Sequence, residues 1–257
     1  MKASAVAYPI QGLIKYHGLR DEKLRIPYHD SISVCTAPLQ THTTVDFGYD
    51  QDRAEFDGHL ASGRELERIL AVVEPLRRRA GVSSGMHMVS RNSFQSNIGL
   101  GASASGFAAL AMASQKSLGL DLTLREVSRY ARLGAGSASR AVTGGFSLWY
   151  AGEDDEGSFS EQLASSKELD MGITCALVPA LKSTDTAHRE VISSPFFKAR
   201  LEYVPSAIEK MKRAIAAKDL KAIGQLAELD TLLLHSITMT GLDQLFLWRP
   251  ETVAVIM

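Results

Sequence analysis

The stretch NSFQSNIGLGASASGF spans residues 92–107 and sets three glycines among small hydroxyl side chains. An apolar segment, AALAMASQKSL, follows at once and predicts a buried helix over residues 103–118. Because glycine lacks a Cβ, the backbone of such a loop can approach a ligand closely. The free N–H groups of a helix that begins there favour a bound phosphate. The stretch therefore predicts a phosphate site, with a tight turn and close helix packing as the alternative.

The loop matches neither of two common nucleotide-binding fingerprints. No G-K-[ST] follows it, so it is not a Walker A loop. The glycine spacing also differs from the dinucleotide fingerprint, and no ribose-binding acid follows in a βαβ context. The loop thus indicates a phosphorylated ligand without identifying it.

Composition restricts the class of protein. The chain has 257 residues, 45% of them hydrophobic and 22% charged, with a net charge of −1. These values are typical of a soluble chain with one large or two small domains, and they argue against a nucleic-acid partner. No apolar run is long enough to cross a membrane, and the N-terminus does not read as a signal peptide. Two isolated cysteines, Cys35 and Cys175, are expected to be reduced core residues, which favours a cytoplasmic location.

Periodicity predicts mixed secondary structure. Alternating or β-branched runs predict strands over residues 2–8, 31–36, 41–47 and 172–179. Helical spacing predicts one helix over residues 64–80 that Gly81 ends, and others from Pro195 onward. Thr123 and Glu126 have the spacing of a capping box. Because the elements lack regular βαβ alternation, the expected class is α+β.

Two cations lie in stretches suited to binding anions. Lys15 precedes the turn at Gly18, where its ammonium can face a phosphate or a developing negative charge. Arg140 lies in GAGSASR, whose small residues allow a ligand to approach the guanidinium. A guanidinium binds a carboxylate in bidentate fashion, so a carboxylate-bearing substrate fits this site.

Three motifs together resemble one family. IKYHGLRDEKLRIPYHDSISV (14–34), NIGLGASASGFAAL (97–110) and RLGAGSASRAVTGGF (132–146) resemble, in this order, motifs of the mevalonate-pathway decarboxylases of the GHMP kinase superfamily. The segment over residues 182–215, followed by LLLHS, resembles the start of the C-terminal half of those enzymes. The resemblance covers nearly the whole chain.

The resemblance implies a GHMP kinase fold. It has an N-terminal subdomain like ribosomal protein S5 domain 2, expected over residues 1–170, and a ferredoxin-like C-terminal subdomain, expected over residues 171–257. The family also carries a catalytic Asp in a D-A-G-like strand end beyond the LLLHS region. Nothing after His235 matches that segment, so the C-terminal subdomain is expected to be incomplete in this chain.

The resemblance also implies an activity. Members of the family use ATP and Mg²⁺ to phosphorylate the 3-hydroxyl of a mevalonate phosphate, and the 3-phosphate then leaves with loss of CO₂. The catalytic residues expected by position are Lys15 and Arg140. Substrate binding is expected at Tyr16, His17, Gly18, Leu19, Arg64, Ser137, Ala138, Ser139, Arg140 and Thr184. ATP binding is expected at Asn97, Gly99, Leu100, Gly101, Ala102, Ser103 and Ser105, with Ser103 also on the metal ion.

Departures from the family pattern bear on the substrate. His17 and Leu19 stand where the enzymes acting on the diphosphate have Trp and Lys, and Ala135 stands where they have Ser. A phosphate site with fewer hydrogen-bond donors favours a substrate with fewer negative charges. The stretch KYHGLRDEKLRIPYHDSIS is also similar to that of phosphomevalonate decarboxylases of haloarchaea and some bacteria. Mevalonate 5-phosphate is therefore the expected substrate and isopentenyl phosphate the expected product, made by a cytoplasmic homodimer without nucleic-acid or membrane partners.

Several alternatives remain open at this level. With the same chemistry, one alternative substrate is the 5-diphosphate, which gives isopentenyl diphosphate. Another alternative substrate is mevalonate 3,5-bisphosphate. A GHMP small-molecule kinase would phosphorylate without decarboxylation, although the expected carboxylate grip of Arg140 favours a decarboxylase. A non-catalytic binding protein is the alternative of a different class.

Overall fold

The computed structural model describes residues 1–96, 99–178 and 184–257, without the side chains of residues 184–186. The strands are β1 (Lys2–Ala7), β2 (Ile10–Ile14), β3 (Leu19–Asp21), β4 (Ile26–Pro27), β5 (Ser31–Cys35), β6 (Thr41–Tyr49), β7 (Arg53–Phe56), β8 (His59–Leu60), β9 (Gly85–Asn92), β10 (Phe146–Trp149) and β11 (Ser160–Ala164). The helices are α1 (Gly63–Ala80), α2 (Ala102–Ser117), α3 (Leu124–Gly134), α4 (Ala138–Thr143), α5 (Thr184–Ile192), α6 (Phe197–Ala216), α7 (Leu220–Met239) and α8 (Pro250–Ile256).

Two larger sheets organise these elements. The first has the strand order β1-β6-β9-β7-β8, in which only the β7–β9 pair is parallel. The second has the order β11-β10-β5-β2 and is antiparallel throughout. β3 and β4 form a small separate hairpin. This mixture of sheets and helices confirms the expected α+β class.

Each larger sheet has its own hydrophobic core. Residues of the first sheet pack against α1, α2 and α3, with Val45, Leu76 and Leu110 among the buried side chains. Residues of the second sheet pack against α6 and α7, where Ile14 and Ile32 meet Met211 in a second core. The second core therefore joins residues from both sides of the predicted boundary at 170/171, and that boundary stays a prediction.

Local signals along the chain were accurate in most places. α1 ends at Gly81, whose backbone is left-handed and whose N–H bonds to the last turn, as predicted. The capping box is confirmed, because Thr123 and Glu126 each accept a hydrogen bond from the other's backbone N–H. Cys35 is half-buried and Cys175 is exposed, so the expectation that both lie in the core was wrong.

The C-terminal part departs further from the expectation. Residues 172–178 form no strand, although their apolar character predicts one. They are largely exposed, and without a neighbouring strand an apolar run has no ladder to join. From residue 184 onward the described chain contains helices α5–α8 and no strand of the expected ferredoxin-like subdomain. Within the described ranges, no helix combines the length and the apolar run needed to cross a bilayer.

Candidate active site

The predicted phosphate loop leaves β9 at Asn92 and enters α2 at Ala102. Gly99 and Gly101 both have left-handed backbones, with φ of 83° and 84°, which strongly favours glycine. A Cβ on Gly101 would lie 3.0 Å from the Ile10 carbonyl oxygen, so the loop packs directly on the start of β2. Among the described residues, no atom lies within 4 Å of a Cβ on Gly99. That backbone is therefore open to a ligand.

Hydrogen bonds fix both ends of the loop. The Asp57 carboxylate accepts from the backbone N–H of Asn92 at 2.8 Å and from its side-chain amide at 3.1 Å. At the other end, the fully buried Ser105 hydroxyl lies 2.6 Å from Thr41 Oγ1, which donates to it. The Ser105 hydroxyl, expected at the cofactor, is thus engaged within the fold.

A cavity of about 510 Å³ opens beside the loop. It is lined by Phe56, Asp57, His59, Arg64, Glu65, Arg68, Ile69, Met88, Ser90, Ser96, Ala102, Ser103, Gly106, Phe107 and Leu110. Ser103 is exposed in the first turn of α2, and Arg64 is exposed in the first turn of α1. The loop, a helix N-terminus and two arginines therefore border one cavity, which suits a phosphorylated ligand.

Lys15 directly follows β2 and is half-buried. Its ammonium donates a hydrogen bond of 2.6 Å to the Gly12 carbonyl oxygen. A Cβ on Gly12 would lie 3.0 Å from Lys15 Cγ, so the lysine stem packs across this glycine. A β-bulge between Gly12 and Ile14 interrupts the pairing with β5 just before the lysine.

Arg140 lies on α4 with only 3% of the residue exposed. Its guanidinium donates to the Ser31 hydroxyl at the start of β5, and its Nε is buried without a partner among the described residues. No carboxylate of the described chain pairs with it, and burial lowers the pKa of Arg140 to about 10. At neutral pH it is therefore a buried cation without a compensating acid among the described residues.

Aromatic rings surround this guanidinium. Its Cζ lies 5.3 Å from the centroid of the Tyr16 ring and 5.6 Å from that of Trp149, and the two rings meet edge to face at 4.7 Å. Burial raises the pKa of Tyr16, against the field of Arg140. A Cβ on Gly136 would lie 2.5 Å from the Tyr16 hydroxyl and 2.6 Å from Trp149. This close packing requires glycine at position 136.

The turn after Tyr16 contacts α5. The Gly18 backbone N–H donates to His188 Nδ1 at 3.1 Å, which makes that nitrogen an acceptor. The His17 and His188 rings meet edge to face at 5.3 Å, and both residues are buried. Leu19 follows in β3 and is half-buried. The predicted substrate segment Tyr16–Leu19 is therefore held against a helix from the C-terminal part.

Some predicted residues serve other contacts. Ser139 is fully buried, and its hydroxyl lies 2.6 Å from that of Ser160 on β11. Ala138 is also fully buried, while Ser137 is half-buried at the start of α4. Leu100 is half-buried within the loop. Direct ligand contacts for these side chains stay predictions.

Two predicted residues cannot be placed. Asn97, expected to bind ATP, lies outside the described residues. Thr184, expected to bind substrate, opens α5, but its side chain lies outside the described part.

Three further residues border the site although their sequence context did not single them out. Arg68 lines the cavity, lies over the Phe107 ring at 4.8 Å and donates to the Gly134 carbonyl oxygen at 2.8 Å. His188 holds the Gly18 turn. Burial, with the fields of Arg200 and Arg140, lowers the pKa of His29 to about 4. Arg68 lies one turn before the buried Val72 on α1, and only its cationic character hinted at more than a solvated position.

The loop and its surroundings fit a nucleotide with magnesium. The open backbone at Gly99 and the exposed Ser103 hydroxyl at a helix N-terminus suit phosphates. No group of three His, Cys, Asp or Glu residues in the described ranges could hold a metal ion by itself. Magnesium is commonly held by one or two protein oxygens together with substrate phosphates, and the exposed Ser103 hydroxyl could supply one such oxygen.

Comparison with family models covers most of the chain. Residues 7–160 match the model described as diphosphomevalonate decarboxylase-like N-terminal domain. Residues 179–255 match the mevalonate 5-diphosphate decarboxylase C-terminal domain. The two models describe the family that the motifs resemble.

Individual proteins agree with these models. The chain is 49% identical to the phosphomevalonate decarboxylase of Haloferax volcanii over 99% of this chain and 79% of that protein. A solved structure of the mevalonate diphosphate decarboxylase from Enterococcus faecalis is 28% identical, with a TM-score of 0.88 over 99% of this chain and 80% of that one. A structure of MDDEF in complex with MVAPP, AMPPCP and magnesium gives 28% identity and a TM-score of 0.86 over the same shares.

Proposed function

The chain belongs to the diphosphomevalonate decarboxylase family, and we propose that it converts mevalonate 5-phosphate to isopentenyl phosphate with consumption of ATP. The reaction transfers a phosphoryl group to the 3-hydroxyl, after which phosphate leaves and the carboxylate is released as CO₂. The observation that carries the proposal is Arg140, a buried guanidinium that no carboxylate of the described chain neutralises. A substrate carboxylate would supply the missing charge.

The residues take distinct roles in this proposal. Gly99, Gly101 and Ser103 would hold the phosphates of ATP, and the Ser103 hydroxyl would supply an oxygen to magnesium. Lys15 stabilises negative charge on the transferring group, since its ammonium lies beside the loop-contacting strand β2. When bound, ATP supplies the phosphoryl group, and magnesium neutralises charge on its phosphates.

Arg140 binds the carboxylate end of the substrate in this proposal. Its guanidinium holds the carboxylate, and the Tyr16 and Trp149 rings exclude water around it. Exclusion of water strengthens the ion pair and keeps the acid in one orientation. This grip distinguishes a decarboxylase from a plain kinase of the same superfamily, which has no need to bind a carboxylate.

Two observations favour the monophosphate over the diphosphate. The Haloferax volcanii relative, 49% identical over nearly the whole chain, is a phosphomevalonate decarboxylase. His17 and Leu19 stand where enzymes acting on the diphosphate have a tryptophan and a lysine, and the structure packs His17 against His188. A turn with one cation fewer favours the less charged phosphate. The diphosphate named for the Enterococcus faecalis relative is the alternative substrate.

Turnover assays with both substrates test the proposal. The purified chain is incubated with ATP, magnesium and either mevalonate 5-phosphate or the 5-diphosphate, and ADP and CO₂ are measured separately. Equal amounts of ADP and CO₂ from the monophosphate are expected. ADP without CO₂ would make the protein a kinase, turnover of the diphosphate alone would overturn the substrate, and no turnover of either would overturn the activity.

A cytoplasmic homodimer completes the proposal. Light scattering of the purified protein gives its molar mass, and a value near 27.9 kDa would contradict the dimer.

A further inference from the structure

A buried ion pair lies directly behind Lys15. Arg200 on α6 and Asp230 on α7 are joined by a hydrogen bond of 2.6 Å from Arg200 Nη1 to Asp230 Oδ1. Both side chains are almost completely buried, with 1% and 0% of their surfaces exposed. Such a pair is costly to desolvate, so its remaining donors and acceptors need partners.

The second oxygen of Asp230 and the second terminal nitrogen of Arg200 both form hydrogen bonds with the backbone of one residue, Lys15. The Lys15 N–H donates to Asp230 Oδ2 at 2.8 Å, and Arg200 Nη2 donates to the Lys15 carbonyl oxygen at 2.7 Å. The three hydrogen bonds close a ring through Arg200, Asp230 and the backbone of Lys15. Because Lys15 lies just beyond the ladder of edge strand β2, the pair takes the place of a strand partner there.

We propose that Arg200 and Asp230 are positioning residues that fix the backbone of Lys15, and through it the Lys15 ammonium and the Tyr16 ring. The proposal rests on the role of Lys15 in the proposed function. The β-bulge before Lys15 leaves the preceding strand irregular, so local strand pairing does not determine where this backbone lies. An error of about 1 Å in such a position can reduce turnover by about a hundredfold.

A second ion pair, with a buried arginine and a half-buried aspartate, serves as the control. Arg77 Nη2 donates to Asp52 Oδ1 at 2.6 Å, and the same carboxylate oxygen accepts from the Met86 N–H at 2.8 Å. Like Arg200, Arg77 is buried and its Nε has no partner among the described residues. This pair lies under the first sheet, between α1 and the start of β9, and touches neither Lys15 nor Arg140.

The experiment compares Arg200→Lys with Arg77→Lys in the full chain. A lysine keeps the positive charge beside the aspartate but cannot donate to both Asp230 and the Lys15 carbonyl with the fixed fork of a guanidinium. Two properties are measured: hydrogen exchange of the Lys15 amide in ligand-free protein, and kcat and KM with ATP and mevalonate 5-phosphate. The exchange measurement needs no activity, so it tests the positioning role even if the proposed function fails.

Arg200→Lys is expected to speed exchange at Lys15 by about tenfold beyond any global loss of stability, and to lower kcat by about tenfold to a hundredfold with KM little changed. Arg77→Lys should leave both the Lys15 exchange rate and kcat at the wild-type values. Equal exchange at Lys15 in the two variants would overturn the proposal, as would equal kcat values if the wild type is active.

An apolar double variant provides a second test in case Arg200→Lys does not fold. Replacing a buried ion pair by hydrophobic residues is often tolerated, so Arg200→Met combined with Asp230→Leu is expected to fold. It removes both contacts to Lys15, so the same faster exchange is expected. Wild-type exchange at Lys15 in the folded double variant would refute the positioning role.

Discussion

Arg140 and Arg200 are buried to the same degree, with 3% of each residue exposed, yet they are compensated in opposite ways. Arg200 forms an ion pair with the fully buried Asp230 and donates to the Lys15 backbone. Arg140 has the Ser31 hydroxyl and two aromatic rings around it, and no carboxylate among the described residues. Both arginines lie close enough to His29 to lower its pKa.

The difference separates a structural cation from a binding cation. The charge of a paired guanidinium is neutralised within the fold. Its removal leaves the acid buried, in a region of low dielectric constant, without a partner. An unpaired buried guanidinium destabilises the ligand-free protein. An anion that binds beside it relieves that cost, which increases its affinity. Removal of Arg200 should therefore reduce stability, and removal of Arg140 should reduce binding and catalysis.

The largest expected effect is on stability at the paired site. Arg200→Gln leaves Asp230 buried without its cation, so the free energy of unfolding should fall by about 3–5 kcal/mol. Chemical denaturation followed by circular dichroism measures the loss. A decrease below about 1 kcal/mol would contradict a structural role of this pair.

The unpaired site should give the reverse pattern. Arg140→Gln should lower kcat/KM by about a hundredfold to a thousandfold, because the substrate carboxylate loses a buried charged partner. The free energy of unfolding should stay within about 1 kcal/mol of the wild-type value, since no acid is left unpaired. Steady-state kinetics and denaturation of the same preparation provide both numbers. Wild-type kinetics would remove Arg140 from the site.

His29 reports on the field of both arginines. Burial is the main cause that lowers its pKa to about 4, from 6.5 in the unfolded chain. Between these values the unfolded chain binds a proton that the folded protein does not, so stability falls as the pH decreases from 6.5 toward 4. The loss at this residue should total about 3 kcal/mol.

Unfolding free energies between about pH 7 and about pH 4 test this expectation. His29→Gln should flatten the acid side of the stability profile. His42→Gln, which changes an exposed histidine on β6, should leave the profile unchanged. Equal profiles for the two variants would contradict a buried, neutral His29.

The smallest effect concerns the packing around Arg140. In Gly136→Ala the new methyl group would overlap Tyr16 and Trp149, so the two rings must move, at a cost of about 1–3 kcal/mol in stability and with lower kcat/KM. Gly224→Ala on α7 is the control, since no described atom lies within 4 Å of a Cβ at that position. It should gain about 0.5–1 kcal/mol, because alanine favours the helix. A wild-type kcat/KM in Gly136→Ala would show that the positions of the Tyr16 and Trp149 rings do not affect turnover.

Local signals predicted much of the fold. Helical spacing with Gly81 at its end identified α1, and the Thr123–Glu126 pair identified the start of α3. Both depend on interactions within a few residues, so the chain carries them without reference to tertiary contacts. The strand predicted over residues 172–179 failed for the opposite reason. Strand formation needs a partner, and the apolar pattern over residues 172–178 does not reveal whether one is available.

The sequence alone predicted which residue types form the site. The glycine loop, Lys15 and Arg140 stand in motifs whose order and spacing identify the family, because backbone conformation and charge are properties of short segments. Only the tertiary structure decided how each cation is compensated. Arg200 and Asp230 lie 30 residues apart on different helices and reach Lys15 across 185 and 215 residues. Whether a buried charge is paired depends on such distant neighbours, and that pairing separates Arg200, proposed to position Lys15, from Arg140, proposed to bind the substrate carboxylate.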